Sequence, residues 1–162
     1  MNTQNFSISY QTYQTIDELD TADKMLCLKA KEAMATSHSP YSKFSVGTAI
    51  LLADEQVVLG SNQENVAYPS GLCAERVALF YIGSNHPNAV IKTMAITAQT
   101  DQFKIVNPVT SCGGCLQVMI EAEKKQDSPI EVLFYCIDGQ IIKVHSIKSL
   151  LPFAFVEDRL ER

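Results

Sequence analysis

The segment FSVGTAILLADEQVVLGSNQENVAYPSGLCAERVALFYIG, residues 44–83, decides the fold. Residues 44–52 read as a strand, ADEQ as a turn, and residues 57–66 as a second strand that pairs back and ends in a polar loop. YPSGL breaks the chain. CAERVALFYIG, residues 73–83, then has the length and punctuation of a helix, with Gly83 near its C-cap. Upstream, Asp17 reads as a helix N-cap with Asp20 three residues on. Leu19, Ala22, Met25/Leu26, Lys29/Ala30 and Ala33 keep a helical period until Pro40 turns Ser39 away from helix. Downstream come a buried-looking strand at 90–99 and a helix at 112–125. IEVLFYC and QIIKVHS follow as a hairpin around Asp138-Gly139, and a short helix is ended by Pro152. The order α-β-β-α-β-α-β-β-α predicts an α/β fold. It is a three-layer α/β/α sandwich around a mixed five-stranded sheet, as a single domain over 1–162. Residues 1–16 form an N-terminal extension that either pairs as an edge strand or frays.

The net charge of −5 argues against polymeric nucleic acid, which is bound through clustered Lys and Arg. The basic pair Lys124-Lys125 is flanked by Glu121, Glu123 and Asp127 and reads as a solvated helix face. No apolar run is long enough to span a membrane. MNTQNFSISY has neither a basic nor an apolar signal region, so a cytoplasmic protein is expected. The five cysteines, an odd count, do not read as a disulfide framework.

Cys112 and Cys115 form a C-x-x-C pair at a helix start, where unpaired N–H groups and the helix dipole favour thiolates. Core thiols, a thioredoxin-like dithiol and a soft-metal site all remain open for such a pair. Cys73, also at a helix start after a glycine-containing break, favours the metal. Three sulfurs with a fourth position for water match a catalytic zinc site, whereas structural sites use four protein ligands. His38, His86 and His145 lie in unrelated contexts; Cys27 reads as a core residue and Cys136 sits beside the hairpin. Glu75 would take and return the proton of a metal-activated water; its simpler role is to complement the helix dipole. Arg76, three residues from Cys73 and on the same helix face, would offset the excess negative charge of three sulfurs; the alternative is an exposed ion pair.

CAE at 73–75 and SCGGC at 111–115 resemble the signature of the zinc-dependent nucleoside deaminases. SPYSKFSVGTAILL, SNQENVAYPSGLCAERVALF, SCGGCLQVM and LLPFAF fall in the order and spacing of the small homotetrameric cytidine deaminases, over about residues 19–160. The resemblance implies hydrolytic deamination of cytidine and deoxycytidine by zinc-activated water, with one Zn²⁺ per subunit. It implies Cys73, Cys112 and Cys115 as ligands and Glu75 as proton shuttle. Asn62 and Glu64 would hold the ribose 3′-hydroxyl, Phe44 and Val46 would line the base and sugar pocket, and the Ala74 N–H would meet the pyrimidine carbonyl. Tyr68 and Phe155 would reach a neighbouring subunit's site in a homotetramer, with the tail 152–162 at the interface; Phe155 packing in the core with Phe153 is the alternative. Related zinc deaminases act on other aminopyrimidines such as blasticidin S, and a non-catalytic zinc or nucleoside-binding module is a further reading. Ser45, Ser111 and Leu116 depart from the Pro, Pro and Arg usual in the family. The Ser111 carbonyl stays available to a substrate amino group.

Overall fold

The computed structural model describes residues 1–160; Glu161 and Arg162, the end of the expected tail, lie outside the described residues. The strands are β1 (Gln11–Tyr13), β2 (Phe44–Leu52), β3 (Val57–Ser61), β4 (Ile91–Thr100), β5 (Glu131–Tyr135) and β6 (Ile141–Val144). The helices are α1 (Thr21–Ala33), α2 (Ala74–Asn85) and α3 (Gly113–Gln126). One sheet runs β1-β6-β5-β4-β2-β3. β4 and β5 are parallel and every other pair is antiparallel.

Alternation along the central strands builds three layers. Ala49, Ala95 and Leu133 face α1, where Leu26, Cys27 and Ala30 cover them. Ile50, Met94, Ile96, Val132 and Phe134 face the other way, beneath Ala78, Leu79 and Ile82 of α2 and Met119 and Ile120 of α3. Each buried Leu, Ile, Val, Met or Phe among them contributes roughly 1.5–3 kcal/mol of apolar burial. Gly47 lets α1 seat closely on β2: a Cβ there would stand 2.1 Å from the Ala30 carbonyl oxygen. Gly60 does the same for β3 under α2, where a Cβ would stand 2.5 Å from the Ala74 oxygen. Across the α1 face, Lys143 Nζ binds Asp23 Oδ2 at 2.6 Å and Glu131 Oε2 at 2.9 Å, tying the helix to β5 and β6.

Several sequence expectations are corrected. The sheet has six strands, because Gln11–Tyr13 pairs with Ile141–Lys143 and gives the β6 edge a partner for its N–H and C=O groups. Asp20, not Asp17, caps α1; its Oδ1 accepts from Asp23 N at 2.8 Å, while Ile16–Glu18 is a separate 3₁₀ turn. β3 stops at Ser61, since the Gln63 backbone turns to Leu72 and Glu64 N to the His38 carbonyl. Gly83 is inside α2, which continues to Asn85. The expected short helix near the C-terminus is a 3₁₀ turn, Ile147–Ser149. No helix among the described residues is long and apolar enough to cross a membrane.

β3 and β4 both run antiparallel to β2, so they share a direction. Their C-terminal ends and the start of β2 therefore meet at one end of the sheet. α2 and α3, which follow β3 and β4, begin there with their N-termini. Ligands of α/β sheets bind outside the carboxyl ends of strands for this reason.

Candidate active site

Cys73 is the N-cap of α2 and Cys112 the N-cap of α3; neither side chain caps its own helix. The first intrahelical bonds run from Val77 N to Cys73 O and from Leu116 N to Cys112 O. The N–H groups of the first turns therefore have no partner within their helices and direct positive potential at the sulfurs. Cys73 Sγ lies 4.0 Å from Cys112 Sγ, and Cys112 Sγ lies 3.5 Å from Cys115 Sγ. All three ligand atoms lie within 4.8 Å of one another. Tetrahedral zinc with Zn–S bonds of about 2.3 Å requires sulfurs about 3.8 Å apart, whereas a disulfide requires about 2.05 Å. The cluster fits a metal held by three thiolates. The hydrogen bond with Cys115 foremost, and that from Arg76, outweigh burial and bring the Cys73 thiol down to about 6. The same contact, with burial, pushes Cys115 up.

Arg76 Nη2 is 3.8 Å from Cys73 Sγ and 3.5 Å from the Gly71 carbonyl oxygen. Glu75 is 3% exposed on the first turn of α2. It lines a cavity of about 770 Å³ together with Cys73, Cys112 and Arg76. From the sequence-expected residues, Phe44, Val46, Asn62, Glu64 and Tyr68 line the same cavity. Ala74 is fully buried under β3. Phe155 lies on the outside of α3, 72% exposed and not among the lining residues of its own chain's cavity. Tyr68, 74% exposed, stands at the mouth of its own chain's cavity and meets Tyr41 edge-on, with ring centroids 5.9 Å apart.

Asn62 and Glu64 are firmly held. Asn62 Oδ1 accepts from Val46 N at 2.8 Å and Ser37 Oγ at 2.6 Å, and Nδ2 donates to the Phe44 carbonyl at 2.9 Å. One Asn62 N–H remains for a ligand. Glu64 Oε2 accepts from Tyr41 N at 2.9 Å and Ser42 N at 3.3 Å. Bonds from the Ser42 hydroxyl first, then from these backbone groups, hold its carboxyl below the usual range.

Sequence reasoning missed Tyr41, Ile96 and Thr110, which also line the cavity. It also missed Phe103, which stacks on Phe44 at 6.3 Å from a loop between β4 and α3. Irregular loops carry no periodicity, so their aromatic residues have no signal to assign them. Ser45 points away from Phe44 to Ser39, 3.2 Å between hydroxyl oxygens, and Leu116 packs against the core. The Ser111 hydroxyl is buried and finds no hydrogen-bond partner among the described residues. Cys27, pushed up to about 12 by burial, is a core thiol.

The profile of the "cytidine and deoxycytidylate deaminase zinc-binding region" matches residues 20–127, the span from the α1 cap to the end of α3. A cytidine deaminase of Halalkalibacterium halodurans is 36% identical over 83% of this chain and 95% of its own length. One from Mycobacterium tuberculosis is 33% identical over 85% and 92%. The crystal structure of a cytidine deaminase from Burkholderia pseudomallei superposes with a TM-score of 0.69 at 35% identity, covering 81% of this chain and 97% of that one. Sequence, fold and the three-sulfur cluster thus agree, and the chain belongs to the cytidine and deoxycytidylate deaminase family of zinc-binding proteins.

Proposed function

We propose that the protein hydrolytically deaminates cytidine and deoxycytidine to uridine and deoxyuridine with release of ammonia. The observation that carries this is Glu75: a buried carboxylate, one residue past the start of a cysteine-capped helix, facing the cavity that the sulfur cluster borders. Cys73, Cys112 and Cys115 would hold zinc, which when bound would supply acidity to a water molecule. Glu75 takes a proton from the attacking water as its oxygen adds to C4 of the ring. It gives that proton to N3, then takes the proton of the new C4 hydroxyl and passes it to the departing amine, so that water and cytidine yield uridine and ammonia. Arg76, beside Cys73 Sγ, offsets the negative charge of the sulfurs.

Phe44 and Val46 form the ring wall, and the Ala74 N–H at the α2 start is the donor for the pyrimidine carbonyl. Asn62 and Glu64, already oriented by the β2 start and the 41–42 backbone, hold the sugar hydroxyl. The chain acts as a single domain in the cytoplasm, with nucleosides as its small-molecule substrates. It assembles as a homotetramer in which Tyr68 and Phe155 reach neighbouring sites. The relatives' names favour cytidine over blasticidin S and over a non-catalytic module.

The test follows the ultraviolet change as cytidine becomes uridine, alongside zinc analysis. Glu75→Gln should retain zinc and lose about 10²-fold or more in turnover. A zinc-replete, fully active Glu75→Gln enzyme would overturn the mechanism.

A further inference from the structure

We propose that Gln117 is the positioning residue that presents Phe155 to the active-site cavity of a second copy of this chain, an inference that rests on the shared-site reading above. The Gln117 side-chain amide engages both backbone groups of Phe155. Oε1 accepts from Phe155 N at 3.0 Å, and Nε2 donates to Phe155 O at 2.8 Å. One side chain thereby fixes the backbone from which the ring projects, as a neighbouring strand would.

The segment is clamped on either side from the same helix. Upstream, the buried Glu123 carboxylate accepts from Ile147 N at 2.9 Å, Lys148 N at 3.1 Å and Ser146 Oγ at 2.8 Å. Downstream, Lys124 Nζ meets Asp158 Oδ1 at 2.6 Å. α3 therefore holds the tail while its N-cap is Cys112 and its first turn carries Cys115.

Holding a chain end costs conformational entropy, and an aromatic ring left in water offsets none of it. Yet Phe153 is 94% and Phe155 72% exposed. The same chain exposes Tyr68 at 74% at its cavity mouth and, two residues before it, Val66 at 79%. A second copy supplies what each patch lacks: a cover for the ring and an apolar neighbour for the mouth.

Gln117→Met keeps the length of the side chain and removes both bonds; Gln117→Glu keeps the acceptor alone. Phe155→Ala and Gln117→Met should each raise KM for cytidine about three- to tenfold, the worth of one aromatic contact. Turnover should stay within about threefold and zinc content should not change. The double variant should be no worse than Phe155→Ala, because the two act through one contact. Since the chain has no tryptophan, Phe155→Trp gives a single emission reporter. It should be blue-shifted in the assembled wild-type background and move to the red when Gln117→Met is added.

Raised KM in Phe155→Ala with unchanged KM and emission in Gln117→Met leaves the shared site standing and overturns the latch. Loss of zinc or turnover in Gln117→Met also overturns it, in favour of a structural role. Phe155→Ala without effect, or a fully active monomer, removes the shared site and the latch with it. Should Gln117→Met not fold, an intermediate KM in Gln117→Glu supports the latch and a wild-type KM overturns it. If the wild type does not deaminate cytidine, the proposed function fails, and the emission shift alone decides the latch.

Discussion

Gly60→Ala tests whether the packing of α2 on the sheet sets the sulfur geometry. The new Cβ would lie 2.5 Å from the Ala74 carbonyl oxygen and 2.9 Å from Ala78 N and Cβ. A carbon approaches a carbonyl oxygen comfortably at about 3.3 Å, so the start of α2 must retreat by about 0.8 Å. Cys73 and Glu75 flank Ala74 and move with it. Metal–ligand distances tolerate only about 0.2 Å, so the Cys73 sulfur would leave the position that its 4.0 Å spacing to Cys112 Sγ now provides. Overpacking of this kind costs about 1–3 kcal/mol, or a fall in Tm of about 2–12 °C for a chain of this size. Gly83→Ala is the control on the same helix. Its Cβ meets nothing within 4 Å among the described residues, and removing an interior helix glycine adds about 0.5–1 kcal/mol. Zinc content after dialysis, thermal unfolding and cytidine turnover are measured on both. Gly60→Ala should lose zinc and turnover while Gly83→Ala keeps both. A Gly60→Ala enzyme with full zinc and wild-type turnover would refute the reasoning.

Two further perturbations read the electrostatics. Arg76→Gln removes one of the bonds that, after the one with Cys115, hold the Cys73 thiol below its ordinary value, so in metal-free protein the thiolate absorbance midpoint should rise. Protons then compete better with metal, and zinc retention should fall more near pH 6 than in alkaline buffer; an unchanged midpoint would show that the Arg76 contact is absent in solution. Lys143→Met leaves Asp23 buried without its cation, which should cost about 3–5 kcal/mol in urea unfolding near neutral pH. Burial already raises the Asp23 carboxyl against the pull of Lys143, and without the lysine it rises further. Protonation therefore relieves the variant as pH falls, and its deficit should narrow; a deficit independent of pH would contradict the pairing.

Much of the fold was legible because its signals are local. β2 matches its expected 44–52 span because two-residue alternation and the ADEQ turn bound it on both sides. α2 and α3 begin one residue after their expected starts, because cysteine caps and glycines punctuate them. The misses are places where a distant partner overrides local preference. β1 exists only because β6 offers it an edge, and β3 ends where Gln63 and Glu64 turn to Leu72 and His38. Gly83 carries a C-cap signal, yet α2 runs past it to Asn85.

The chemistry of the site was written in residue types: three cysteines at two helix starts and a carboxylate two residues after the first. The chain alone could say that such groups favour thiolate and proton transfer, since pKa tendencies and helix-end polarity are local properties. It could not say that the two helix starts meet. That follows from β3 and β4 flanking β2 on opposite sides, both antiparallel to it, which places the openings of α2 and α3 at one end of the sheet. Nor could it show that Asn62 has already committed most of its amide to β2 and Ser37, or that Gln117 holds the Phe155 backbone. Those contacts join residues 16 to 38 positions apart, and only a closed tertiary structure fixes such separations.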